Sequence, residues 1–541
     1  MKTRSIIGFG SLAGVLVTAP LTAFAYVASQ FTALSFPPFD LFDSMTRLLP
    51  GPLITFGIDF MIDTLRALGL SVVDTAKIAE QLMAVGMFVA GGIIAANIFF
   101  LILRRRHVSH SLALGFIAGL VLSVPLITAV VVKESTQAPL VLQLLWVIFI
   151  SISWGVGLGY SARKIMPSQQ EDGMSDEQLS ELKVLQLDRR RFLIQAGTTA
   201  AAITVVGTGL ALNRRRRIRT LLDSGYSELG LLPSALPNAG DPVGPVPGTR
   251  KEYTPISDHY MVFIQTEPSV VDGETWNLPI TGLVDNPHNL SMEDLRGRYE
   301  AMDQFVTLSC ISGRVGTSLI GTTLWTGVSL QDVLADLGLK PDAKYIRIQS
   351  ADGFYETVGL DLIAADRRIM LTYDWDRQPL TEGHGFPLRI YIPDRYGMKQ
   401  PRWITSIEVI DEYVEGYWVE RGWDEDAIMQ TTSVIDTVAT DALIGSGDER
   451  RVPIGGIAHA GARGISRVEI RVDGGEWVEA DLRAPLSDLT WVIWRFEWPY
   501  QAGEHLFEVR CAEGDGTPQI EQARTSRPSG SRGIHSVEET I

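Results

Sequence analysis

The sequence predicts three structural classes in series: an all-α membrane bundle of five spans, an α+β domain, and an all-β sandwich. Three observations predict it. Mean hydropathy is positive although the net charge is −16, a pairing that a single soluble domain rarely shows. Long apolar runs are confined to the part before Asn213. Beyond a stretch crowded with Pro and Gly, the texture changes to short alternating runs split by turns.

The membrane part comes first. A bilayer core needs about 20 apolar residues per helix. Ile6–Val27, Leu82–Leu103, Leu112–Val132 and Leu140–Ser161 meet that need, and Phe192–Leu212, rich in Ala, Gly and Thr, is a weaker fifth span. Leu53–Leu70 is amphipathic and carries Asp59, Asp63 and Arg66, so it reads as an interfacial or packed helix. Lys2 and Arg4, Arg104 to Arg106, and Arg163 with Lys164 hold their segments in the cytoplasm. Five spans then send the remainder of the chain to the extracytoplasmic side of the cell membrane. Arg214 to Arg217 would travel with it, against the charge rule. "DRRRFLIQAG" (188–197) explains the exception, because it is similar to a twin-arginine export signal, which moves folded domains.

The expected domains are 1–165 (four helices), 186–217 (signal and fifth span), 218–250 (linker), 251–427 (α+β), 428–524 (sandwich of immunoglobulin type) and 525–541 (a flexible tail). In 251–427 the predicted strands are "HYMVFIQ", "NLPITGLV", "QFVTLSC", "YIRIQS", "RIMLTYDW", "LRIYIP" and "ITSIEVID". "SMEDLRGR" and "SLQDVLADLG" read as short helices with Ser caps. In 428–524, "GISRVEIRVDGGEWVEADL" is a hairpin around Asp-Gly-Gly.

Composition narrows function. An acidic chain lacks the basic surface that nucleic acid requires. Two cysteines do not make a disulfide framework, and none of the eight histidines falls in a CxxC, HExxH or zinc-finger pattern. His107 and His110 stand beside three arginines and read as juxtamembrane charge, and Cys511 as a small buried hydrophobe. Cys310 differs. It ends an apolar run just where polar and glycine residues begin, and it reads as core filler, nucleophile or soft metal ligand. Downstream lie His384, Arg389, Arg395, Lys399 and Arg402, interleaved with apolar residues. Guanidinium forks in a partly buried crevice suit phosphate oxygens and polar heterocycles. One thiolate beside such a crevice meets the needs of a cofactor with a soft metal at one end and a phosphate at the other.

These motifs stand in the order of a known family. "TPISDHY", "VTLSC", "LWTGVSLQDVL", "SADGFYETV", "HGFPLRIYIPDRYGMKQPRWI" and "GYWVERGW" resemble the sulfite oxidase family of molybdopterin-dependent oxidoreductases, from about Tyr253 to Gly516. The resemblance implies Cys310 as the molybdenum ligand. It implies Tyr260, Met261, Asp352, His384, Arg389, Gln400, Pro401 and Arg402 as pterin contacts, with Arg314, Trp325 and Trp423 shaping catalysis. It also implies oxygen-atom transfer with a small-molecule oxo donor or acceptor, and a homodimer through the β domain. Two departures weaken sulfite as the substrate. Val262 stands where sulfite-oxidising members place an Arg, and Trp423 where they place a Tyr. No haem domain is visible, so electrons are expected to pass to a separate protein or to quinone. The competing reading is a membrane-anchored binding protein whose β domains hold a ligand and whose cofactor cleft is degenerate.

Overall fold

The computed structural model describes residues 3–49, 51–68, 72–104, 110–133, 138–165, 194–209 and 236–541. Contacts divide the chain into two units, 1–225 with 265–267, and 226–264 with 268–541.

The first unit is helical. It comprises α1 (Thr3–Phe31), α2 (Pro37–Leu48), α3 (Gly51–Ala67), α4 (Val72–Leu103), α5 (Ser111–Lys133), α6 (Leu140–Ile165) and α7 (194–209). Among the described residues four helices are long and apolar enough to cross a membrane: Ser5–Phe31, Lys77–Leu103, Ser111–Lys133 and Leu140–Ile165; both ends of the expected fifth span, 192–193 and 210–212, lie outside the described residues. The amphipathic segment forms α3 and is not one of them. The arginine pairs at 189–191 and the block at 214–217 lie outside the described residues.

Small residues set the helix packing. Gly115 and Gly119 on α5 face Gly155 and Gly159 on α6, and a Cβ on any of the four would run into the opposite backbone. Without a hydrophobic drive between helices in lipid, such close approach supplies the attraction. Trp154 on α6 donates Nε1–H to Thr18 Oγ1 on α1 at 2.9 Å. Large apolar side chains such as Ile94, Val121 and Val141 are turned outward, as a lipid-facing surface requires.

The second unit begins with an α+β part. Its strands are β1 (Asn277–Gly282), β2 (His288–Ser291), β3 (Ala301–Ser309), β4 (Ile320–Ser329), β5 (Tyr345–Ser350), β6 (Tyr355–Gly359), β7 (Met370–Trp375), β8 (Gln378–Pro379), β9 (Arg389–Tyr391) and β10 (Ile404–Ile410). Short helices α8 (Met292–Arg298), α9 (Leu330–Leu337) and α10 (Leu360–Ala365) lie between them. One sheet runs β2-β1-β10-β5-β6, and the other β3-β4-β7-β8 with β9 on β7. Leu278, Ile280, Ile346, Ile348, Leu371, Ile390 and Ile407, all fully buried, form the core they share. The Ser cap of α8 is real: Ser291 Oγ accepts from Asp294 N–H at 3.1 Å while Asp294 accepts from Ser291 N–H at 2.9 Å. At α9 the Ser329 side chain makes no capping bond.

"HYMVFIQ" does not form its predicted strand. Residues 259–264 pair with no strand, because their carbonyls serve side chains instead. The Tyr260 carbonyl faces His259 Nδ1 at 3.1 Å, and the Val262 carbonyl accepts from Arg402. Alternation alone cannot distinguish a strand from an irregular segment that turns alternate side chains into a cleft.

The remaining strands are β11 (Thr432–Val438), β12 (Arg451–His459), β13 (Ile465–Val472), β14 (Val478–Glu479), β15 (Asp481–Leu482), β16 (Val492–Pro499), β17 (Glu504–Glu513) and β18 (His535–Thr540). They build two four-stranded sheets, β11-β12-β16-β15 and β14-β13-β17-β18. Ile454 and Trp494 from one sheet meet Val468, Phe507, Val509 and Cys511 from the other. Two expectations are corrected here. The tail after Arg524 is not loose, since β18 pairs with β17 from Glu504↔Thr540 to Val509↔His535. The described end of the linker, 236–250, is not free either. Arg483 donates to the carbonyls of Val243 and Asn238, and Arg250 pairs with Asp436 at 2.6 Å. Pro and Gly made both segments irregular, but arginines pin them.

Candidate functional site

The site is built around the turn that follows β3. Cys310 N–H donates to the Leu319 carbonyl at 2.9 Å, and Gly313 N–H to the Cys310 carbonyl at 3.1 Å. These bonds close a tight loop between β3 and β4 and fix the thiol at its root. The Cys310 Sγ lies 3.1 Å from Ser312 Oγ. Burial pushes the thiol up from its ordinary value, while the Ser312 hydroxyl and Arg402 pull it partly back.

One side of Cys310 faces a cationic, aromatic cleft. Arg389 on β9 is buried, donates to the His384 carbonyl at 3.1 Å, and lies 4.3 Å over the Trp325 ring. Arg402 stacks 4.8 Å over Trp403 and bonds the Val262 and Gly383 carbonyls. Gly385, at φ +111°, turns the chain between them, and a Cβ there would lie 2.9 Å from the Arg402 side chain. Neither arginine forms an ion pair among the described residues. Burial and the Arg402 charge bring Arg389 down to about 9, so it stays a cation at neutral pH. Arg395 and Lys399, counted with these donors in the sequence, are instead neutralised by Asp394 at 3.7 Å and Glu356 at 2.6 Å.

The other predicted contacts fall as follows. His384 is buried, with Nδ1 2.7 Å from Thr381 Oγ1 and its ring 4.6 Å from Trp375. Tyr260 stacks on His259 at 4.8 Å, and its hydroxyl is pushed up by burial and by the nearby Cys310. Met261 is 39 % exposed and reaches toward Gly383. Asp352 is buried, accepts from Phe354 N–H at 2.9 Å, and is the acid whose charge Arg402 feels. Gln400 ties the loop internally, donating to the Arg395 carbonyl at 2.8 Å, and the Pro401 carbonyl accepts from Ile390 N–H at 3.1 Å. These two brace the cleft through backbone.

On its other side Cys310 lines a small, partly open pocket. Arg314 stands there too, exposed, and its side chain makes no ion pair or hydrogen bond among the described residues. Arg250, Tyr396, Met429, Gln430, His459 and Ser531 complete much of the wall. Trp325 and Trp423 do not line it. Trp325 is fully buried on β4 opposite Gln304, where it supports Arg389. Trp423 packs one layer behind, against Ile311, Tyr396 and Met429, with Arg527 4.8 Å over its ring.

Sequence reasoning missed the contribution of the β-sandwich to this wall. Met429, Gln430 and His459 lie around β11 and β12, and Ser531 precedes β18, donating its hydroxyl to the Gly313 carbonyl at 2.6 Å. No short motif marks them. The one available signal was that His459 sits at the end of an apolar run, as Cys310 does.

Comparison with known proteins agrees with this geometry. Residues 265–418 match the family described as oxidoreductase molybdopterin binding domain. The chain is 32 % identical over 158 residues to the uncharacterized oxidoreductase YuiH of Bacillus subtilis, covering 29 % of this chain and 76 % of that one. It is 27 % identical over 300 residues to sulfite oxidase of Arabidopsis thaliana, covering 46 % of this chain and 76 % of the other. It is also 27 % identical over 244 residues to the putative protein-methionine-sulfoxide reductase subunit YedZ1 of Azospira oryzae, covering 45 % and 88 %. Fold and site therefore define a molybdenum oxidoreductase. The chain belongs to the sulfite oxidase family of molybdopterin-dependent oxidoreductases, and its cofactor is molybdenum–molybdopterin. The residues present fit that group. Arg389 makes no ion pair among the described residues and its buried Nε–H has no acceptor, which suits an anion such as a pterin phosphate.

Proposed function

We propose that this chain is a membrane-anchored, extracytoplasmic oxidoreductase that transfers an oxygen atom at a molybdenum centre held by Cys310. The observation that carries the reading is the position of Cys310, between the cleft of Arg389 and Arg402 and a partly open pocket that Arg314 also lines. Bound there, the cofactor supplies two-electron chemistry with exchange of an oxygen atom. The protein supplies the rest. Cys310 gives a fixed soft ligand, rooted by its backbone bonds. Arg389, Arg402 and His384 hold and orient the pterin, with Tyr260, Met261 and Asp352 along its edge. Gln400 and Pro401 keep the arginine loop in place. Arg314 draws a polar or charged oxo substrate to the cavity mouth.

Electrons pass to or from a separate protein or membrane quinone. The likeness to YedZ1, named as a reductase subunit, supports an assembly with other electron carriers. The four apolar helices support membrane anchoring. Charge placement and "DRRRFLIQAG" support a fifth, twin-arginine-dependent span and an outward catalytic domain. The two packed β-sheets support an immunoglobulin-like module, with a homodimer formed through it.

The test is molybdenum and pterin per chain in purified protein, beside Cys310→Ser. About one molybdenum per chain is expected, with activity lost but pterin retained in the variant. A variant that keeps full activity overturns the assignment of Cys310.

A further inference from the structure

Residues 265–267 belong to the helical unit, although the chain on either side of them belongs to the other. Thr266 shows why. It is completely buried, and its N–H, its hydroxyl and its carbonyl are all taken by side chains of that unit. Asp43 on α2 accepts from Thr266 N–H at 2.9 Å with one carboxylate oxygen and from the Thr266 hydroxyl at 3.2 Å with the other. Gln81 on α4 donates to the Thr266 carbonyl at 2.8 Å, and Lys77 donates to the carbonyl of Gln265. A carboxylate that takes the backbone N–H and the hydroxyl of one residue at once fits a Ser or a Thr, and being charged it makes both bonds strong.

The receiving side is itself pinned. Lys133 lies 2.7 Å from Asp40 and 3.6 Å from Asp43. The turn into α2 is fixed from α6: Gln143 accepts from Ser35 N–H at 2.8 Å and donates to the Ala33 carbonyl at 2.9 Å, and Trp146 donates to the Ser35 carbonyl at 3.0 Å. The stretch before the clasp needs such an anchor. Residues 259–264 join no sheet, so no ladder of backbone bonds fixes them. Yet this stretch borders the cationic cleft, where the Val262 carbonyl accepts from Arg402 and the Phe263 ring meets Trp403 edge-on at 5.9 Å.

We propose that Asp43 is a positioning residue for the cofactor: by clasping Thr266 it holds residues 260–264 in place as one wall of the pterin cleft. The helical unit then contributes to cofactor retention as well as to anchoring. This rests on the reading of Tyr260 and Met261 as pterin contacts.

The test uses the cofactor-loaded full chain in detergent and two readouts. Hydrogen–deuterium exchange at the Thr266 amide reports the clasp. The rate at which pterin leaves the protein on dilution, read by the fluorescence of the oxidised pterin, reports the cleft. Asp43→Ala should speed exchange at Thr266 about tenfold to a hundredfold, the worth of one bond to a charged group, and should speed pterin release about fivefold or more. Thr266→Ser, which keeps the hydroxyl, should retain both wild-type rates. Thr266→Val loses only the hydroxyl bond, should release pterin about two- to fivefold faster, and serves should Asp43→Ala fail to fold. Trp154→Phe loosens the helical unit by removing the bond to Thr18 without touching Thr266, and should release pterin as the wild type does. Unchanged exchange at Thr266 in Asp43→Ala, wild-type pterin release in both Asp43→Ala and Thr266→Val, or equally fast release from Trp154→Phe overturns the proposal. Tyr260→Ala in the same release assay judges the reading of the pterin contacts separately.

Discussion

Replacing Lys399 by Met isolates one charge beneath the cofactor cleft. Lys399 Nζ donates to Glu356 Oε1 at 2.6 Å and to the Thr357 carbonyl at 3.3 Å. The Glu356 side chain is completely buried, and its Oε2 has no partner among the described residues. Breaking such a pair from one side strands a charge, at a cost of about 3–5 kcal/mol. In a unit of roughly 300 residues that corresponds to a fall in Tm of about 5–8 °C. Burial already pushes the Glu356 carboxyl up with Lys399 beside it. Without Lys399 it is held higher still, so folding favours the protonated acid. The loss is full at pH values above that raised pKa and shrinks as pH falls toward the ordinary carboxylate value. Thermal unfolding of the full chain in detergent, read at several pH values, measures this. Adding Glu356→Met to the variant should recover most of the stability, because a buried pair replaced on both sides by apolar groups is often neutral. A single variant with less than about 0.5 kcal/mol of loss, or a double variant no better than the single, refutes the reasoning.

Arg389→Met should strip the cofactor, lowering pterin per chain by at least about tenfold on gel filtration, because a buried cation that meets an anion is worth several kcal/mol. His259 is brought down to about 4 by burial, so folding favours its neutral form. Its contribution, about 3 kcal/mol, is present above pH 6.5 and lost as pH falls toward 4. His259→Gln should flatten that part of the acid-stability profile relative to wild type. Gly155→Leu should force α5 and α6 apart, costing about 1–3 kcal/mol or more, seen as earlier unfolding of the helical unit on titration with a denaturing detergent.

The membrane half was legible because bilayer thickness imposes one length and one polarity on each helix. The glycine seam between α5 and α6 was not, since the pairing of Gly115 with Gly155 is a property of two helices and neither sequence segment alone reports it. The cleft was legible at Cys310, His384, Arg389 and Arg402, where motif and chemistry coincide. Arg395 and Lys399 looked equivalent to them in sequence, and only the fold shows Asp394 and Glu356 cancelling them. "HYMVFIQ" had the alternation of a strand, but its carbonyls are taken by Arg402 and His259. His459 and Ser531 were illegible because their roles depend on tertiary neighbours far away along the chain.

The bond from Ser531 to Gly313 joins residues 218 positions apart, and this imposes an order on assembly. The wall beside Cys310 cannot close until the ribosome has delivered the chain well past β17. Only a chain that has delivered Ser531 can set this hydroxyl against the loop that carries Cys310.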